Sequence, residues 1–228
     1  MCGRYSNRFT WKELHELYRA FLHPDAPAST WTPKFNVAPT TEVPVIRFVS
    51  GARRIDMMRW GLVPSWSREI GKFATFNARS DGVREKPAYR GAWKAQRRCI
   101  IPASSFFEWR KADKQPFAIA LGNGGPMGFA GLWDAWKGTD GGIVLSFTII
   151  TTDNNEAMSP IHDRMPVILD EEDWSCWLGE EPATDEQLQE MLRPCESKRT
   201  TTWQVESAVG NVKNQGEHLL NPRIDGSN

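Results

Sequence analysis

No two of the four cysteines (Cys2, Cys99, Cys176, Cys195) stand at CxxC spacing, and there are only four histidines. No His/Cys/carboxylate set has ligand spacing, so no metal and no cofactor is expected. Unpaired thiols fit a reduced, cytoplasmic compartment. Long apolar runs are missing too. The longest, around Ile143–Ile150, is far too short to span a bilayer, and the first eight residues show no apolar core of a signal peptide, so no membrane partner is expected. There is no repeat, low-complexity tract or long linker. Nothing reads as alternating βαβ units, and no Gly-rich phosphate loop follows a strand. Net charge is absent as well, with 28 Lys+Arg against 28 Asp+Glu.

That zero hides an asymmetry. Residues 1–110 carry 19 Lys+Arg against 9 Asp+Glu, and residues 111–228 carry 9 against 19. Either the halves interleave and neutralise each other, or the basic half faces an anionic partner. The 228 residues suffice for one domain with a real core. Eleven Trp is a large number for this length; most should pack, and an exposed one would offer a stacking face for an unpaired base.

Thr10-Trp-Lys-Glu13 is a capping-box pattern that predicts a helix through about Phe21. A Pro-rich loop over Pro24–Pro39 follows. Strand-like runs cover 43–49, 53–59, 73–77, 99–102, 106–110, 116–121, 128–133, 143–151 and 165–169. Helices are expected near 87–96, 154–158, 171–178 and 185–192. The pattern predicts an α+β fold: a single domain built on curved, mostly antiparallel, barrel-like β-sheets with peripheral helices. The domain should run over residues 1–220, with 221–228 as a tail.

Cys2 is the first residue with chemistry to offer. Removal of Met1 would leave an α-amine and a thiol on adjacent carbons. Such a pair reacts with an aldehyde twice, first as an imine and then by thiol addition to a five-membered thiazolidine. At pH 7.5 about a third of an ordinary amine and about a tenth of an ordinary thiol are in the nucleophilic form, and a neighbouring cation such as Arg4 would raise both. The same terminus also suits an acyl nucleophile with its own amine as base, as in N-terminal-nucleophile amidohydrolases. A non-catalytic module for single-stranded DNA is a third reading.

Further candidates recur along the chain. Phe35-Asn36-Val37-Ala38-Pro39 pairs an amide with a rigid turn. Arg59 to Trp66 sets a cation and two indoles around Gly61 and Pro64, and Asn77-Ala78-Arg79 closes a strand-like run. In Phe106-Phe107-Glu108-Trp109, alternation puts Phe106 and Glu108 on one face, and a carboxylate among aromatics should have a raised pKa, as a proton shuttle requires. His162, between Ile161 and Asp163-Arg164, could relay a proton near neutral pH. His15, His23 and His218 read as solvent-facing.

Taken in order, Met1-Cys2-Gly3-Arg4, Phe35–Pro39, Arg59–Pro64, Asn77–Arg79, Phe107–Trp109, Thr151–Pro166 and Gly210–Asn214 resemble the SRAP family of abasic-site-processing proteins. The resemblance implies loss of Met1 and capture of an abasic-site aldehyde in single-stranded DNA as a thiazolidine DNA–protein crosslink. It also implies possible autopeptidase and minor lyase side activities. By position it implies catalytic roles for Cys2, Asn77, Glu108 and His162. It implies DNA contacts from Arg4, Asn36, Pro39, Trp66, Arg79, Thr151 and Arg164, with the Trp66 ring wedged against bases. The partner is then single-stranded DNA bearing abasic sites, met by a monomer associated with the nucleoid when bound, with replication-fork proteins as conceivable recruiters. Two departures stand out: Ser104-Ser105 where the family usually has a Gly, and Phe107 for a common Tyr.

Overall fold

The computed structural model describes residues 2–22, 31–71 and 75–224. The first strands are β1 (Tyr5–Asn7), β2 (Phe21–Leu22), β3 (Lys34–Val37), β4 (Glu42–Val49), β5 (Ala52–Trp60) and β6 (Asn77–Arg79), with helix α1 (Trp11–Tyr18) after β1. Helix α2 (Arg90–Lys94) leads into β7 (Arg98–Ala103), β8 (Ser105–Trp109), β9 (Pro116–Leu121), β10 (Met127–Lys137) and β11 (Ile143–Asp153). Strands β12 (Arg164–Pro166) and β13 (Ile168–Leu169), helices α3 (Trp174–Leu178) and α4 (Asp185–Glu190), and β14 (Thr200–Gln204) complete the chain.

Strands β11, β10, β7, β4 and β5 close a barrel. Each pairs antiparallel with the next, and β5 returns to β11 in parallel, with Ser146 opposite Arg59 and Phe147 opposite Trp60. Parity requires this: an odd ring cannot alternate direction throughout, so one pair must run parallel, and closure removes the barrel's free edges. Ile46, Ile55, Met58, Phe129 and Phe147 are fully buried. Gly131 lets β10 pass between its neighbours, because a Cβ there would lie 2.4 Å from Ile101 Cδ1 and 2.7 Å from the Thr148 carbonyl oxygen.

A second sheet, ordered β14-β9-β8-β1-β3, packs on the barrel. Tyr5 of β1 sets its ring 5.2 Å from Trp60 and 5.9 Å from Phe129, and Phe106 of β8 lies 6.1 Å from Phe129. The opposite face of β8 carries Phe107, which joins Ala118 beneath Val205 and Val209 of the C-terminal segment. Alternation therefore turns Glu108 to the same side as Phe106, between sheet and barrel, as its spacing predicts.

The expected α+β class on mostly antiparallel, curved sheets is what forms. The capping box of Thr10 and Glu13 opens α1, but the helix stops at Tyr18, where Arg19 turns left-handed (φ 49°). Phe21–Leu22 then pairs in parallel with β5. The stretch 154–158 is not a helix. Asn155 accepts from Met158 N through its side chain and donates to the Cys195 carbonyl, which holds the segment in turns. Lys34–Val37 is a strand within the expected Pro-rich loop, and β6 begins only at Asn77; residues 23–30, with His23, and residues 72–74 lie outside the described residues. His15 and His218 are exposed as expected. Order continues past residue 220, since Arg223 N donates to the Gln204 carbonyl at 2.8 Å.

Part of the charge asymmetry is neutralised internally. Arg53 pairs with Glu180 at 2.5 Å, Arg84 with Asp185 at 3.2 Å, and Arg97 with Asp134, each joining the basic half to the acidic one.

Candidate active site

Cys2 sits just before β1, the inner strand between β8 and β3. The pairing of Tyr5 with Phe106, extended by Phe107 N donating to the Arg4 carbonyl at 2.9 Å, runs the amino terminus alongside Glu108 and Trp109. Cys2 is fully buried, and its Sγ faces the Arg4 carbonyl at 3.8 Å. Burial, and then the nearby Glu108 carboxylate, push its thiol up. The expectation that Arg4 would promote the thiolate is therefore not met.

Asn77, at the start of β6, donates from Nδ2 to the Cys2 carbonyl oxygen at 2.7 Å. Its own carbonyl accepts from the Tyr89 hydroxyl at 2.9 Å. Its Oδ1 is buried and has no hydrogen-bond partner among the described residues. Glu108 is 3% exposed, and burial pushes its carboxyl up to about 7. Arg164 N donates to His162 Nδ1 at 3.0 Å. This assigns the ring proton of neutral His162 to Nε2. Burial holds the His162 pKa below its ordinary value, and neighbouring Lys111 acts the same way. The loop carrying His162 reaches the end of β8, where Lys111 N donates to the Ile161 carbonyl.

Arg4 and Asn36 are tied to protein partners. Arg4 Nη1 donates to Asn36 Oδ1 and to the Val209 carbonyl, both at 2.9 Å, and its guanidinium lies 5.8 Å from the Trp109 ring centre. Asn36 Nδ2 faces three carbonyls, of Val209, Asn211 and Asn214, at 3.0 to 3.1 Å. These contacts strap the segment 209–214 over the amino terminus. Pro39 lines a cleft of about 180 Å³ with Trp60–Pro64 and Phe76, the residue before Asn77. Trp66 is the exposed member of the eleven Trp, at 58%. Arg79 is exposed and bound to Asp81, and it pairs across from Thr151. Thr151 is buried with its hydroxyl directed at the Ala78 carbonyl, and Arg164 holds Asp153 at 2.9 Å.

Residues 1–212 match the family described as SOS response associated peptidase (SRAP). The chain belongs to the SRAP family. It is 36% identical over 226 residues to the abasic site processing protein YoqW of Bacillus subtilis, covering 96% of this chain and 99% of that one. It is 33% identical over 234 residues to the abasic site processing protein HMCES of Pongo abelii, covering 84% and 66%. A crystal structure of a Bacteroides thetaiotaomicron protein shares the fold, with a TM-score of 0.84 at 24% identity over 98% of this chain and 100% of that one.

Within this SRAP chain the two departures have a visible structure. Ser6 Oγ lies 2.7 Å from both Ser104 Oγ and Ser105 Oγ, so the serines knit β1 to β8. Phe107 fills the outer apolar cluster, where a hydroxyl would need a partner. Sequence reasoning missed Tyr89, which anchors Asn77, and Gln215, which bonds both backbone groups of Asn36. Neither lies in a stretch whose residue pattern suggests chemistry. Among the described residues no group of His, Cys, Asp and Glu could hold a metal ion, and no helix is long and apolar enough to cross a membrane.

Proposed function

We infer that this chain processes abasic sites in single-stranded DNA, and that it does so by capturing the lesion on Cys2 as a thiazolidine. Loss of Met1 frees the Cys2 amine. The amine attacks the aldehyde carbon of the ring-opened sugar, and protonated Glu108 gives its proton to the departing hydroxyl. Water leaves and a C=N bond forms. Cys2 Sγ then adds to that carbon, its proton passes to nitrogen, and the five-membered ring closes. Aldehyde and aminothiol thus become thiazolidine and one water. Asn77 holds the Cys2 backbone through its carbonyl, and His162 moves the proton on and off the sugar hydroxyl. Glu108 and His162 also assist release of Met1, and strand cleavage through the imine is a minor side reaction because ring closure competes with elimination.

The observation that carries this reading is Glu108, a buried carboxyl held at about 7 beside Cys2, the residue that loss of Met1 would make N-terminal. Such a group is half protonated at neutral pH and can both give and take a proton. A thiol kept protonated by burial also fits a step in which it yields its proton as it adds. The names of the relatives point the same way. Arg79 and Arg164 supply phosphate contacts, Pro39 and Trp66 meet bases, and Arg4, Asn36 and Thr151 shape the groove. The acting unit is a monomer.

Purified protein should lack Met1 by intact mass and form a heat-stable adduct with an abasic oligonucleotide. Cys2→Ala should abolish the stable adduct; equal adduct from that variant would sink the thiazolidine mechanism.

A further inference from the structure

Trp66 stands on an exposed turn, yet the backbone of that turn is held from below at several points. Val63 N donates to Ser146 Oγ at 2.8 Å, Ser65 N to Asp134 Oδ2 at 2.9 Å, and Trp136 Nε1 to the Ser67 carbonyl at 2.7 Å. The turn leaves the barrel through Gly61, whose φ of +119° suits glycine and whose N–H donates to the Phe147 carbonyl at 2.8 Å. Of these anchors Asp134 is the charged one. It is 3% exposed and sits on β10, and its other oxygen accepts from Arg97. The Arg97 guanidinium lies 5.5 Å from the centre of the Trp133 ring, and Arg47 lies 4.4 Å from the same centre. A connected series thus runs from the stacked Trp133 through Arg97 and Asp134 to the amide just before Trp66.

The geometry points to Asp134 as a positioning residue that holds Trp66 upright and so sets the preference for single-stranded over duplex DNA. This rests on the function inferred above, in which the Trp66 ring meets bases. A stacking ring discriminates only if it stays put, since a mobile one yields to an incoming duplex. Buried carboxylate hydrogen bonds supply that rigidity without touching the substrate.

The test is a ratio: the rate of adduct formation on a single-stranded abasic oligonucleotide over that on the same strand annealed through the lesion. Asp134→Ala should lower the ratio about tenfold, the scale of one hydrogen bond to a charged group, while leaving the single-strand rate nearly unchanged. Trp66→Ala should lower the ratio as well, and the double variant should fall no further. Asp134→Asn keeps one oxygen, which can accept from Ser65 N only by turning its amide towards Arg97 and Ala135 N, so its ratio should fall between those of wild type and Asp134→Ala. Trp136→Phe, which leaves Asp134 in place, should lower the ratio modestly and covers the case in which Asp134→Ala does not fold. An equal loss on both substrates, or effects that multiply in the double variant, would overturn the assignment. A wild-type protein that forms no adduct on either substrate would instead overturn the underlying function, and this inference with it.

Discussion

The side-chain amide of Asn77 donates to the carbonyl oxygen of Cys2 across 2.7 Å, although 75 positions separate them. The bond joins the barrel, through β6, to the strand that carries the amino terminus. It fixes the backbone of Cys2, the residue on which the proposed capture of the aldehyde takes place. A terminus would otherwise fray.

Asn77→Ala should therefore slow adduct formation by about ten- to a hundredfold, the range for a lost orienting contact. Tyr89→Phe removes the hydroxyl that holds the Asn77 carbonyl and should slow it by severalfold. Single-turnover rates on an abasic oligonucleotide measure both, and a Tyr89→Phe rate above that of wild type would argue against this support.

Glu108 makes stability depend on pH in a definite direction. Its folded pKa, about 7, lies above the ordinary value of 4.5. The folded state therefore holds more protons between those values, and stability present below pH 4.5 is lost as pH rises towards 7, after which this contribution is flat. The full span is about 3 kcal/mol. Glu108→Gln should remove that slope, so its denaturation midpoint should gain on wild type more at pH 8 than at pH 5. The same variant should lose most adduct formation.

His162 is depressed below its ordinary value of 6.5. Its contribution to stability is present above pH 6.5 and is lost as pH falls through the folded value. At pH 7 its ring should be neutral with the proton on Nε2, because Nδ1 accepts from Arg164 N. Nitrogen-resolved NMR of the imidazole reads this directly, and a protonated Nδ1 at pH 7 would contradict it.

Asn36→Ala should destabilise the protein by about 2 kcal/mol, because the Asn211 and Asn214 carbonyls lose their Asn36 donor, while Arg4 and the Val209 carbonyl keep each other. Arg4→Ala should also lower the urea midpoint, which a residue that only meets phosphate would not do. Urea denaturation without DNA separates the two roles.

Local chemistry was legible because it depends on neighbours in the chain. The Thr10–Glu13 cap, the alternation that turns Glu108 towards Phe106, and the aminothiol latent in Cys2 need only the adjacent residues. The missed pieces were short or polar. Strands β1 and β3 have three and four residues and contain Asn7 and Asn36, and β14 is Thr-rich, so alternation had little to show. At 154–158 the Asn side chains bonded the backbone and distant groups, which overrode a helical reading.

The opening absences thus set the class: no metal spacing, no spanning run, no phosphate loop and no net charge left an α+β domain whose most distinctive chemistry lay at its second residue. Only the tertiary structure decided what surrounds that residue. It buried Cys2, raised Glu108, tied Arg4 and Asn36 into a strap, and left Trp66 exposed among eleven indoles. Those outcomes depend on burial and on hydrogen bonds between residues far apart in the chain, which exist only once the barrel has closed and the second sheet has packed against it.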